Sequence, residues 1–169
     1  MQEFAVKINK MKKFKIVPLS KEYADKLKSN MVDDFGNTIT EKVATGRGPC
    51  RVSLKPFIPG KDKRLLLSHS PFTVSNAFNQ PGPVFISSDD VEEYKDIYHF
   101  PPEIKNDKEH FHLTLIGYDS KQQMIHSEMV GDNDIDEMIE RVFNEKPGID
   151  YLHARSAEAC CYICKIERL

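Results

Sequence analysis

The segment His110-Phe-His-Leu-Thr-Leu-Ile-Gly-Tyr118 decides the fold, because polar and apolar side chains alternate along it. Such alternation is typical of a β-strand with one buried face. We therefore predict a central strand over 110–118, with Phe111, Leu113 and Leu115 facing the core. Residues 124–130 are predicted to pair with it through a turn at Asp119-Ser-Lys.

A helix is predicted after this hairpin. Its apolar stripe follows the i, i+3, i+4, i+7, i+8 spacing of a helix face and consists of Ile135, Met138, Ile139, Val142 and Phe143. Asp132 or Asn133 is predicted to cap the helix, and Lys146-Pro-Gly148 to end it.

The remaining patterns predict shorter elements. Strands are expected at 14–17, 51–54, 64–68, 84–86, 151–155 and 161–167, an extended segment at 38–45, and helices at 20–29 and 89–98. About seven strands and two or three helices, without strict alternation, predict an α+β fold with a largely antiparallel sheet.

The chain has 169 residues, and we expect a single α+β domain over 14–169. Residues 1–13 are a candidate flexible N-terminal extension, since Met11 is itself a candidate start.

The net charge of −2 gives no general reason to bind nucleic acid or an anionic membrane, so we expect neither partner. No export signal or membrane span is apparent, and the four cysteines are expected to be reduced thiols in the cytoplasm. The oligomeric state is left open.

The first candidate site lies on the predicted strand 151–155. Tyr151, His153 and Arg155 alternate along it and therefore share one face of the sheet. An imidazole beside a guanidinium could bind a carboxylate or a phosphate, or could position a base. An exposed polar face with a hydrogen-bonded imidazole explains the same pattern.

The second candidate is Cys50, which follows a Gly-Pro turn and lies between Arg47 and Arg51. Positive charge lowers a thiol pKa and makes the thiol a better nucleophile. The alternative is that Cys50 begins a buried strand.

Other residue spacings give weaker evidence for a functional site. Cys161-x-x-Cys164 lies in a predicted strand, where residues three apart face opposite ways, so a core role is favoured. His110 and His112 are interpreted as surface residues, and no metal site is expected. No P-loop, G-x-G-x-x-G, G-x-S-x-G or H-E-x-x-H motif is present.

Several separated blocks occur in an order that resembles an uncharacterised bacterial family, domain of unknown function 1203. They include Gly48-Pro-Cys50-Arg51, Leu65-Leu-Leu, Pro71-Phe72, Gly82-Pro83-Val-Phe85-Ile86, Gly117-Tyr118-Asp119, the stretch 151–162 and Ile166-Glu167-Arg168. The resemblance implies that Cys50, Arg51, His153, Arg155 and Cys161 belong to recurring blocks, but it supplies no activity and no cofactor.

Two positions depart from the pattern that this resemblance implies. Ile116 stands where the family tends to have Arg, and Cys160 stands where it tends to have Gly. If the Arg bound a ligand, this chain has lost a contact. If the Gly allowed a tight turn, Cys160 must strain or reshape that turn.

Three functional hypotheses follow. The first is a non-catalytic module that binds a small anionic ligand through Arg51, His153 and Arg155. The second is a thiol-dependent enzyme with Cys50 as nucleophile, His153 as base, and Arg51 or Arg155 stabilising negative charge. The third is a protein-interaction or assembly domain.

Overall fold

The strands of residues 11–169, the part of the chain that this computed structural model describes, form two antiparallel sheets. The strands are β1 (Phe14–Val17), β2 (Thr40–Val43), β3 (Lys63–His69), β4 (Gly82–Ser87), β5 (Leu113–Tyr118), β6 (Met124–Met129), β7 (Tyr151–Ser156) and β8 (Tyr162–Arg168). The helices are α1 (Lys21–Asn30), α2 (Pro102–Lys105) and α3 (Ile135–Glu145). The predicted α+β class is confirmed, and its strands are shared between two sheets.

The larger sheet has the order β1-β8-β7-β5-β6, with β7 between β5 and β8. One face of it packs against the apolar stripe of α3, and Leu115, Leu152 and Ile166 from three adjacent strands are fully buried there. The helix begins after Asp134, whose side chain accepts a hydrogen bond from the backbone N–H of Glu137. The cap therefore lies one residue beyond the predicted Asn133.

The smaller sheet has the order β2-β3-β4 and packs in a second core cluster with α1. Ala24 and Leu27 are the buried face of α1, and Ser20 caps its N-terminus as predicted. Tyr162 of β8 belongs to this cluster as well, so it joins the two sheets.

Two predicted elements are wrong. Residues 51–54 form a turn in which the Leu54 N–H donates to the Cys50 carbonyl, and Leu54 has a φ of 54°. Residues 89–98 are irregular, because the N–H of Tyr94 donates to Val52 and the carbonyl of Ile97 accepts from Ile16. These contacts with distant segments take backbone groups that a helix would use internally.

The N-terminal extension stays a prediction. Residues 1–10 of the candidate extension lie outside the described residues. Lys13, at its end, accepts a hydrogen bond from the Leu169 N–H and pairs with Glu140. Within residues 11–169, no helix has the length and apolar character needed to cross a membrane.

Candidate functional site

His153 lies on the face of β7 opposite α3 and is fully buried by aromatic rings. The ring centroids of Tyr118 and Tyr162 lie 4.6 and 4.9 Å from its own, and those of Phe72 and Tyr151 lie 5.3 Å away. Tyr118 stands opposite Tyr151 in the β5–β7 register. The predicted face of alternating residues is therefore a buried aromatic wall at His153 and not a solvated surface.

Arg155 is the next residue on this face and is half-buried. Its Nη2 lies 3.1 Å from His153 Nδ1, and its Nη1 donates to the Cys160 carbonyl at 2.9 Å. Its Nε is buried without a hydrogen-bond partner among the described residues. No carboxylate within residues 11–169 pairs with this guanidinium.

The contact with Arg155 fixes the state of the imidazole. A guanidinium can only donate, so Nδ1 of His153 accepts and a neutral ring carries its proton on Nε2. Burial, and then the charges of Arg155 and Lys165, hold the His153 pKa well below its ordinary value. His153 is thus suited to orient the guanidinium and not to supply a second positive charge.

Arg155 lines a cavity of about 410 Å³, which we call the Arg155 cavity. Its other walls come from Tyr118, Tyr162, His69, the 71–83 segment and the turn at 159–161. Burial lowers the pKa of His69 to about 4, so this histidine is neutral as well near pH 7. No Asp or Glu is among the lining residues, and of these residues Arg155 carries the formal charge.

The turn that receives Arg155 contains strained backbone. Cys160 has a φ of 55°, in the left-handed region that favours glycine. The strain expected from Cys in place of Gly is therefore present. Ile116, at the second departure, also lines the Arg155 cavity, so an Arg there would stand at the wall of the same cavity.

Arg51 is placed differently, because it is almost entirely buried, at 4% exposure. Its Nε donates to the Tyr162 carbonyl at 2.6 Å, and its Nη1 donates to the Pro49 carbonyl. Burial lowers its pKa to about 10. Arg51 and Arg155 do not line the same cavity, so the predicted set of Arg51, His153 and Arg155 does not form one site.

Cys50 does not meet His153. Its side chain is 2% exposed in the second core cluster. Nδ1 of His153 contacts Arg155, and Nε2 has no partner among the described residues, so neither nitrogen bonds the thiol. The nucleophile–base pair proposed for Cys50 is therefore not formed in this structure.

Cys161 and Cys164 have different surroundings, as the predicted strand pattern requires. Cys164 is buried in the core beside α3, where burial raises its pKa to about 12. Cys161 is half-buried, lines the Arg155 cavity and also lines a second cavity beside Arg51. His110 and His112 are exposed and contact Asp107 and Glu158.

The sequence alone did not single out the walls of the cavity. Tyr118, Tyr162 and His69 lie far apart in the chain and line one cavity only because of the sheet order. One usable signal was the alternation in β5, which places Tyr118 on the same face as Ile116. Within residues 11–169, no group of three or more His, Cys, Asp or Glu could hold a metal ion.

Comparisons with known proteins place the chain in a family without supplying an activity. No curated protein and no solved structure matches it. A family model does match residues 47–168, a range that contains Arg51, His153, Arg155 and Cys161. The chain belongs to the family described as protein of unknown function, DUF1203.

Proposed function

We propose that the protein binds a small anionic molecule in the Arg155 cavity. The observation that carries this proposal is a guanidinium without a carboxylate partner among the described residues, at the wall of a cavity without acidic residues. Arginine presents a planar fork of donors that suits a carboxylate or a phosphate.

The surroundings of Arg155 support the same function. His153 and the Cys160 carbonyl hold two of its nitrogens, which reduces the entropy lost when a ligand binds. The neutral state of His153 and His69 leaves the cavity with a single positive charge. One charge favours a monoanion over a highly charged ligand.

The test is isothermal titration with acetate, formate and inorganic phosphate, using wild type, Arg155→Gln and Arg155→Lys. We expect at least one anion to bind, with a Kd at least tenfold higher in Arg155→Gln, which corresponds to about 1.4 kcal/mol. Arg155→Lys should retain part of the affinity because it keeps the charge but loses the fork. Arg47→Gln is the matched control, since Arg47 does not line this cavity.

His153→Phe tests the positioning role separately. Phenylalanine retains the aromatic packing but removes the acceptor for Arg155 Nη2. Anion affinity should fall severalfold while the protein remains folded. Equal affinity in wild type and Arg155→Gln, or no anion binding in any of these titrations, would overturn the proposed function.

The hypothesis of a thiol enzyme gains no support from Cys50, whose thiol is buried away from His153. A cytoplasmic location is part of the present proposal, and it is supported by four cysteines that are all free. Mass spectrometry of protein taken directly from cells and alkylated after denaturation would test it, with four reduced thiols expected.

A further inference from the structure

We propose a second ligand site, in which Arg51 binds the carboxylate of a monocarboxylic acid whose apolar body fills the neighbouring cavity. This cavity, called the Arg51 cavity below, has a volume of about 470 Å³. Its size falls in the range of about 300–1,000 Å³ that is usual for small-molecule sites.

The first argument is the unbalanced charge of Arg51. Its two hydrogen bonds go to backbone carbonyls, and no carboxylate among the described residues pairs with it. Nη2 has no hydrogen-bond partner within residues 11–169. A buried cation without a counter-charge is costly, and a bound carboxylate would provide both the charge and the missing acceptors.

The second argument is the apolar part of the walls, which lies beside polar lining residues that include Glu158. Leu66, Phe85, Phe111, Leu113 and Ile163 line the Arg51 cavity. A ligand that places only its carboxylate at Arg51 would leave its hydrocarbon part against these side chains. Removal of that hydrocarbon part from water favours binding.

The third argument is that the other cations at this cavity already have acidic partners. Arg47 and His110 both contact Asp107, and His112 contacts Glu158. They are also much more exposed than Arg51. Arg51 is therefore the lining cation with no acidic partner among the described residues.

The Arg51 cavity is distinct from the Arg155 cavity, since the two share only Pro83 and Cys161 among their lining residues. This second site does not depend on the proposed function. Either proposal can be disproved while the other stands.

The first experiment is titration of the wild-type protein with octanoate, n-octanol, octylammonium and acetate. Octanoate should bind at least tenfold more tightly than octanol, which lacks the charge, and than acetate, which lacks the apolar body. Octylammonium should not bind, because it brings a second cation beside Arg51. Octanol binding as tight as that of octanoate would overturn the role of Arg51.

Because Arg51→Gln removes bonds that hold the backbone, a different position carries the mutational test. Leu66 lines the cavity on β3 and is 38% exposed, so polar side chains are tolerated there. Leu66→Glu adds a competing negative charge, and Leu66→Gln is its neutral control of nearly equal size. We expect octanoate to bind at least fivefold more weakly to Leu66→Glu than to Leu66→Gln, and equal affinities would overturn the site.

The same titration in Arg155→Gln distinguishes the two cavities. Octanoate binding retained in that variant supports the Arg51 cavity as its site. Octanoate binding lost there would assign the ligand to the Arg155 cavity and overturn the second site, while leaving the proposed function intact.

Discussion

Arg51 and Arg155 are two arginines without carboxylate partners among the described residues, yet their surroundings differ. Arg51 is nearly fully buried and donates to two backbone carbonyls, those of Tyr162 and Pro49. Arg155 is half-buried and is held by a side-chain nitrogen of His153 and by the Cys160 carbonyl. One backbone partner of Arg51, Tyr162, lies 111 residues away in the chain, whereas both partners of Arg155 are within five residues of it.

This difference separates an arginine whose contacts join distant parts of the fold from an arginine whose contacts are local. Arg51 connects the turn at 49–51 to β8, and its removal would leave carbonyl groups without donors. Arg155 makes local contacts within and just after β7, so its loss affects mainly the cavity. Arg51 thus has a structural role whether or not it also binds a ligand.

The largest effect should come from Arg51→Leu compared with Arg155→Leu. We expect Arg51→Leu to lower the free energy of unfolding by about 2–4 kcal/mol, because the loss of donors to two buried carbonyls outweighs the relief of the buried charge. Arg155→Leu should cost about 1 kcal/mol, since it loses one backbone contact and one contact with His153. Urea denaturation monitored by circular dichroism measures both values.

Arg47→Leu is the control for the removal of a positive charge from the same segment, because its pair with Asp107 is exposed. It should change stability by less than about 1 kcal/mol. If Arg155→Leu destabilised the protein as much as Arg51→Leu, the distinction between the two arginines would be wrong.

The next largest effect concerns the two histidines near Arg155. Burial lowers the pKa of His69 to about 4 and that of His153 well below 6.5, so the unfolded chain binds protons that the folded protein does not. Stability should therefore be complete above about pH 6.5 and should fall as the pH decreases from there. Between pH 7 and 5, His69 alone should lower the free energy of unfolding by about 2 kcal/mol, and His153 adds to this loss.

His153→Phe provides the check on this pH dependence. The variant removes one of the two buried imidazoles, so the slope between pH 6.5 and 5 should fall to about half that of wild type. His112, which is exposed and whose pKa is raised by its contact with Glu158, acts in the opposite direction. An unchanged slope in His153→Phe would show that His153 is not a source of the pH dependence.

The sequence predicted the parts of this comparison that depend on local periodicity. Alternation in β7 correctly placed His153 beside Arg155, and the apolar stripe of α3 identified the opposite, buried face of the sheet. The strained turn at Cys160 was expected from the family resemblance, which implies a glycine at this position. Each of these signals lies within a few residues of the feature that it predicts.

Long-range contacts explain most of what could not be predicted. Arg51 begins a segment with strand-like residues, but the segment turns back so that the Cys50 N–H donates to the Lys55 carbonyl. This turn directs Arg51 to the Tyr162 carbonyl, 111 residues away in the chain. No pattern near Arg51 shows that it and Arg155 line separate cavities.

The smallest effect should come from Cys160→Gly, which tests the turn that receives Arg155. A non-glycine residue at a φ of 55° costs about 1–3 kcal/mol, and glycine loses about 0.5–1 kcal/mol more in chain entropy on folding. The net gain should be about 1 kcal/mol, or a rise of about 2–4 °C in Tm by calorimetry. Ala159→Gly is the matched control, because Ala159 lies in the same turn without a positive φ and should lose stability. A loss of Tm in both variants would mean that Cys160 adopts its conformation without strain, and that this end of the Arg155 cavity is more relaxed than its backbone angles indicate.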